Sequence, residues 1–149
     1  MLKLACSMSE LDAEQLLEVY KGQGIDEDDF LNYLRTDFFR QKDSFYALWD
    51  AEGRYLAALR IEPYADGLLL ESLSTAPENR RQGYAFMLVT KVLEYLKTTP
   101  YRALYAHIDK KNLPSLSLHK KCGFTLYSDS AKYIDGTVTQ KSCTMCYYL

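Results

Sequence analysis

Residues 68–85 read LLLESLSTAPENRRQGYA, and residues 86–96 continue FMLVTKVLEYL. The run Leu68–Ser74 is apolar apart from one carboxylate and two serines, which fits a strand covered on both faces. Beyond it, Ala85, Val89, Val92 and Leu96 recur at helical spacing and predict a helix over Gly83–Lys97. Between strand and helix stands Pro77–Gly83, a charged loop ending in glycine. Such a junction makes an anion site. The first amides of a helix lack intrahelical partners, its dipole is positive at that end, and phosphate oxygens answer both needs. Gly83 lets backbone approach a ligand, and Arg80 and Arg81 add charge in a geometry that grips phosphate. The loop therefore reads as a diphosphate cradle. A solvated basic helix start with a turn glycine is the other reading. Neither GxGxxG nor GxxxxGK[ST] occurs, so no Rossmann or P-loop site is supported. What remains is R-x-x-G-x-A.

Working outward, Met1–Cys6 reads as a strand. Ser9 with Asp12 resembles a capping box ahead of a helix carrying Ala13, Leu16, Leu17 and Tyr20, which Gly22-Gln23-Gly24 closes. Asp26–Asp29, DEDD, opens a second helix with Phe30, Tyr33, Leu34 and Phe38. Acidic residues there suit the helix dipole, although they also suit a cationic substrate. Ser44–Asp50 and Arg54–Glu62 read as strands around a turn at Asp50–Gly53, and Asp66-Gly67 makes another turn. After the central helix, Ala103–Ile108 is a strand, Pro114 starts a short helix and Cys122-Gly123 ends it. Two strands follow, near Phe124–Tyr127 and Cys143–Tyr148. The order β-α-α-β-β-β-α-β-α-β-β is that of a mixed α/β domain with one central sheet, and no linker divides residues 1–149.

Length suits one domain with a full core, and a net charge of −2 provides no basic field for nucleic acid. No apolar run reaches the roughly 18 residues of a membrane helix. The four cysteines are sparse and irregularly spaced, which points to the cytoplasm. Cys143-Thr-Met-Cys146 is a lone CxxC. Strand residues three apart face opposite ways, so it reads as two structural cysteines rather than a metal or redox site.

A second block, NLPSLSLHKKCGF at Asn112–Phe124, changes the weight of the first. Arg80, Gly83 and Ala85 match [QR]-x-x-G-x-[GA]. Asn112, Ser115, Leu118, His119, Lys121, Gly123 and Phe124 match N-x-x-[AS]-x-x-L-[YH]-x-K-x-G-F. Together, in this order and within this succession of elements, they resemble the GNAT superfamily of acyl-CoA-dependent N-acyltransferases. The resemblance is specific over Leu68–Ala85 and Asn112–Phe124 and architectural elsewhere. It implies a mostly antiparallel central sheet, splayed between the strands that flank the central helix, with helices on both faces. It implies acetyl-CoA as cosubstrate, no metal, and a primary amine of a small molecule or peptide as acceptor. Homodimers are common among such proteins.

The resemblance also assigns residues. Amides of Arg81, Gln82, Gly83, Tyr84 and Ala85 would hold the CoA pyrophosphate, with charge from Arg80 and Arg81. The strand at Leu73 and Thr75 would pair with the pantetheine amides as an added strand would. Asn112 would hydrogen-bond that arm beside Ser115, and Lys121 would reach the ribose phosphate, while Lys120 reads as a wet helix face. Amine attack on a thioester requires a base for the ammonium and is helped by an acid for the thiolate. Glu71 is the expected base. Its strand is apolar enough to raise a carboxylate's pKa, and strand alternation puts it on one face with Leu73 and Thr75. An ion pair with Arg60 is the alternative. His119, where the family commonly has Tyr, is the expected acid as an imidazolium near its ordinary pKa of about 6.5. Packing against the arm is the alternative, with Tyr84, Tyr105 and Tyr133 as substitute acids. His107 reads as sheet packing or acceptor lining, and Phe30, Tyr33 and Phe38 as core or acceptor lining. A non-catalytic acyl-CoA-binding module on the same fold is the competing function.

Overall fold

The computed structural model describes residues 1–149 throughout. Strand β1 (Leu2–Ala5) is followed by α1 (Ala13–Val19), α2 (Glu27–Thr36), β2 (Phe45–Ala51), β3 (Arg54–Tyr64) and β4 (Gly67–Thr75). Then come α3 (Tyr84–Leu96), β5 (Ala103–Asp109), α4 (Leu113–Lys121), β6 (Thr125–Ser128), β7 (Ala131–Lys132), β8 (Val138–Thr139) and β9 (Ser142–Tyr148). Seven strands form one sheet in the order β1-β2-β3-β4-β5-β9-β6. All neighbours are antiparallel except β4 and β5, which are parallel and joined through α3. The remaining pair, β7–β8, is a small hairpin that the sequence reading did not contain.

Strand alternation divides the interior into two layers. Ala47, Leu59, Ile61, Leu68, Leu70 and Leu104 pack beneath Val89, Val92 and Leu96 of α3. Tyr46, Leu48, Tyr55 and Ala58 face the other way, onto Leu16 and Val19 of α1, Leu34 of α2, and Phe38 just beyond it. The DEDD run starts α2 as expected: Asp26 caps it, accepting from the Asp29 amide at 2.9 Å. The cap of α1 differs from expectation. Asp12, not Ser9, accepts from a first-turn amide, that of Gln15 at 3.1 Å, while Ser9 lies in a separate 3₁₀ turn. Phe38 also stands outside α2, in a second such turn, and is fully buried there.

The β2–β3 turn is tight because Glu52 and Gly53 both adopt positive φ, 54° and 90°, the mirror-image turn that matches strand twist. Gly67 serves another purpose. Its φ is ordinary, but a Cβ there would run into the Ala103 carbonyl oxygen across the β4–β5 junction.

Candidate active site

Strands β4 and β5 stay together for only three residue pairs, Leu68–Leu104, Leu69–Tyr105 and Leu70–Ala106, and carry no pairing beyond them. The cause lies in β4. Against β3, Arg60 stands opposite Glu71, but Ala58 stands opposite Ser74, so β4 carries one residue more than its partner. Ser72 absorbs it at φ 53°. A bulge of this kind bends its strand and interrupts the ladder. It also reverses parity. Leu73 packs with the α3-side core and Thr75 stands opposite Ala57 of that core, whereas Glu71 faces Arg60 on the α1–α2 side. The expectation that Glu71 shares a face with Leu73 and Thr75 is therefore corrected. Alternation fails wherever a strand gains a residue.

Six of the expected cofactor residues, Leu73, Thr75, Arg80, Ala85, Asn112 and Ser115, line one groove of about 590 Å³ between the end of β4 and the starts of α3 and α4. Its loop has two left-handed residues, Arg81 at φ 63° and Gly83 at φ 84°. No amide from Arg81 to Phe86 donates to a protein acceptor, which leaves a concave row of donors at the mouth of α3. Arg80 Nε donates to the Thr75 carbonyl at 3.4 Å, tying the loop back to β4. Gln82 Nε2 donates to the Glu78 carbonyl at 3.5 Å. Tyr84 opens α3 and packs on the core. Asn112 caps α4, its Oδ1 accepting from the Ser115 amide at 3.2 Å, and its side-chain NH₂ remains for a ligand. Lys121 is not among the groove residues. Its Nζ lies 4.7 Å from the centroid of the Phe86 ring on α3.

A smaller cavity, about 190 Å³, fills the opening between β4 and β5 and brings Glu71, His107 and His119 together with Leu73, Asn112 and Ser115. Glu71 Oε2 accepts from Arg60 Nε at 3.2 Å, with the two side chains 26% and 17% exposed. The ion pair named as an alternative thus exists, and Glu71 borders the cavity as well. The carboxyl that burial raises, to about 7, is Glu62. The nearby Glu71 charge adds to that rise and Arg60 opposes it. Glu62 lies on the same face of β3 as Arg60, and only its period-2 spacing from Arg60 could have signalled it.

The raised Glu62 value has a consequence for stability. The unfolded chain ionises this carboxyl near its ordinary 4.5, the folded one only near 7, so unfolding releases a proton between those values. Stability falls as pH rises across that window, by up to about 3 kcal/mol, and is flat above it. Glu62→Gln should remove this loss and raise the melting temperature relative to the unsubstituted protein at pH 8 but not at pH 4. Calorimetric scans at both values check it, and an equal shift at both would contradict the assignment.

His119 is 2% exposed and packs edge-on against Phe124. Its Nδ1 lies 2.7 Å from the Ser115 carbonyl, which can only accept, so Nδ1 carries the proton. Burial lowers its pKa. A neutral ring of this tautomer leaves Nε2 without a proton, and that atom is buried and without a partner. The expectation of a resting imidazolium near its ordinary pKa is corrected by this environment. His107 Nε2 meets the Tyr64 hydroxyl at 3.2 Å, and burial lowers its pKa too. Burial, and then the bond that Tyr105 donates to Asp66 at 2.6 Å, drive its pKa well up, so its proton is engaged elsewhere. Tyr133 stacks edge-on over His107.

Cys143 and Cys146 fall in opposite layers of the sheet, with the first in the α3-side core and the second beside Leu69 and Tyr105. All four cysteines are free thiols. No group of three or more His, Cys, Asp or Glu side chains is placed to hold a metal ion, and no helix is long and apolar enough to cross a membrane.

Solved structures share this architecture. A ribosomal-protein-alanine N-acetyltransferase from Brucella melitensis superposes with a TM-score of 0.75 at 18% identity, covering 100% of this chain and 99% of its own. The Campylobacter jejuni N-acetyltransferase PseH, in complex with acetyl coenzyme A, gives 0.72 at 16% identity with 99% of each chain covered. A spermidine N-acetyltransferase chimera from Vibrio cholerae and hSSAT gives 0.72 at 14% identity, covering 98% of this chain and 95% of its own. At these identities the likeness is one of fold. No curated protein shows detectable sequence similarity to the chain. The sequence model of the Acetyltransferase (GNAT) family matches residues 7–124, a span from before α1 through Phe124. With the groove, the bulged and splayed strands and this match in hand, the chain belongs to the GNAT acetyltransferase family.

Proposed function

We propose that residues 1–149 act as one N-acetyltransferase domain, moving the acetyl group of acetyl-CoA to a primary amine of a small molecule or peptide. One observation carries this reading. The opening between β4 and β5 joins a groove of unpartnered amides and arginine on one side of the sheet to a carboxylate on the other. A pyrophosphate at the loop and an extended arm along Leu73–Thr75 would aim a thioester at that opening. Glu71, reached from the α1–α2 side, is the base. It takes a proton from the ammonium directly or through water. The amine nitrogen then attacks the thioester carbonyl, and the C–S bond breaks. His119 serves the thiolate only after its Nε2 has accepted a proton, and the proton that the nitrogen sheds from the tetrahedral intermediate is one it can carry to sulfur. The free thiols agree with work in the cytoplasm.

Thiol release from acetyl-CoA against a panel containing an alanine-terminated peptide, spermidine and benzylamine tests the reading. Turnover on one of them supports it. Tight CoA binding with no turnover on any amine would make the chain a binding module. For the groove, Arg80→Ala should weaken CoA and 3′-dephospho-CoA alike, by about tenfold, because the contact is with the pyrophosphate. Calorimetric titration of both ligands checks this, and affinity equal to the unsubstituted protein removes the assignment.

A further inference from the structure

Three ionisable side chains share the α2-side face of β3 and β4: Arg60, Glu62 and Glu71. Arg60 stands opposite Glu71 and Glu62 opposite Leu69, so Glu62 and Glu71 are diagonal neighbours. Long side chains meet across that spacing. The Arg60 guanidinium is fixed between two rings, 5.2 Å from the Tyr33 centroid and 5.7 Å from that of Phe38, while its Nε donates to Glu71. Glu62 is 3% exposed, and its Oε2 has no hydrogen-bond partner. One cation thus serves two carboxyl groups. The other titratable groups facing the cluster are Tyr20 at the end of α1, Tyr33 from α2, Tyr46 from β2 and, across the opening, His107 from β5. None adds positive charge near neutral pH. Burial raises all three tyrosines, and it lowers His107. Neighbouring carboxylates that share one counter-charge titrate as a pair and keep a proton well above the usual range.

Building on the acetyl-transfer reading, we propose that Glu62 is the second member of a two-carboxyl proton relay, in which Glu71 takes a proton at the opening and the enclosed Glu62 receives it from Glu71. The bookkeeping closes. The N–H bond of the ammonium breaks, and its electron pair stays on nitrogen for the attack. The proton bonds to a Glu71 oxygen and passes to the unpartnered Oε2 of Glu62. Glu71 returns to the carboxylate that Arg60 requires. After product leaves, the proton departs to water by the reverse path. Burial of Glu62, which raises it to about 7, brings the pair closer to an ammonium of pKa about 10 than an exposed carboxylate would be. Glu62 touches no substrate, so it is a positioning residue.

The test uses the whole protein, labelled with ¹³C at the glutamate side-chain carboxyls, titrated by NMR from pH 4 to pH 9. Glu62 should titrate near pH 7, and Glu71→Gln should move that step to lower pH by removing the neighbouring charge. A Glu62 that titrates below pH 5 overturns the relay. In thiol-release assays with the best amine of the panel, Glu62→Gln should lose the acid limb of the kcat profile near pH 7. Its kcat at pH 8 should fall about tenfold with KM for acetyl-CoA unchanged. Glu62→Asp should restore the limb. An unchanged limb and kcat in Glu62→Gln also overturns the relay. Turnover without the coupled titration refutes the relay alone. The coupled titration without turnover on any amine refutes the acetyl-transfer reading and leaves the proton-sharing pair standing.

Discussion

Glu71→Gln should lower kcat/KM for acetyl transfer by about 10²–10³-fold, within the range for loss of a general base. The loss should fall on kcat, with CoA affinity unchanged. The bulge at Ser72 puts this side chain on the opposite face from the groove, so it contributes nothing to nucleotide binding. Glutamine keeps the length and still accepts from Arg60, but it cannot take a proton. The same change replaces a charged partner of a mostly buried guanidinium with a neutral one, at a cost of about 1–2 kcal/mol after allowing for partial exposure. Denaturant unfolding beside steady-state kinetics and CoA titration separates the two effects. Retention of more than about a third of wild-type kcat, in a protein that binds CoA normally, would leave Glu71 as an ion-pair partner and nothing more.

Gly67→Val should cost about 4 kcal/mol or more, large for a single change. Gly67 is buried where β4 starts beside β5, and a Cβ added there meets the carbonyl oxygen and carbon of Ala103, both backbone. No rotamer relieves a backbone clash, so the strands themselves must part. They are joined by only three residue pairs, and those pairs form the closed end of the opening in which Glu71 and His119 meet. Activity should therefore fall together with stability rather than separately. For a chain of this length the loss corresponds to roughly 10 °C in melting temperature or more. A melting temperature within 2 °C of wild type would show that the junction can shift, and that glycine is there for another reason.

The order of elements and the loop at the mouth of α3 are legible because their signals are local. Helical spacing at Val89, Val92 and Leu96, the glycine before α3, and proline in the first turn of α4 each report on a few adjacent residues. The same holds for the placement of Cys143 and Cys146 in opposite layers, since two-residue alternation holds along β9. The short β7–β8 hairpin is not legible in the sequence, because two-residue strands are too brief to show any period. The sequence does not choose the cap of α1, because Ser9 and Asp12, three residues apart, are both good caps, and only the 3₁₀ turn over Met8–Glu10 decides between them.

By itself, the sequence determined the class of fold, the glycine-ended loop at the mouth of α3, and the block Asn112–Phe124 that flanks it. Each depends on which residues are neighbours along the chain. Tertiary structure alone decided where charge and protons reside. The extra residue at Ser72 turned Leu73 and Thr75 away from the face on which Glu71 meets Arg60. Folding of β3 against β4 enclosed Glu62 beside them. The carbonyl of Ser115 chose the tautomer of His119. A side chain's ionisation follows from which groups surround it in space, and that is settled only when strands distant in sequence have been brought into register.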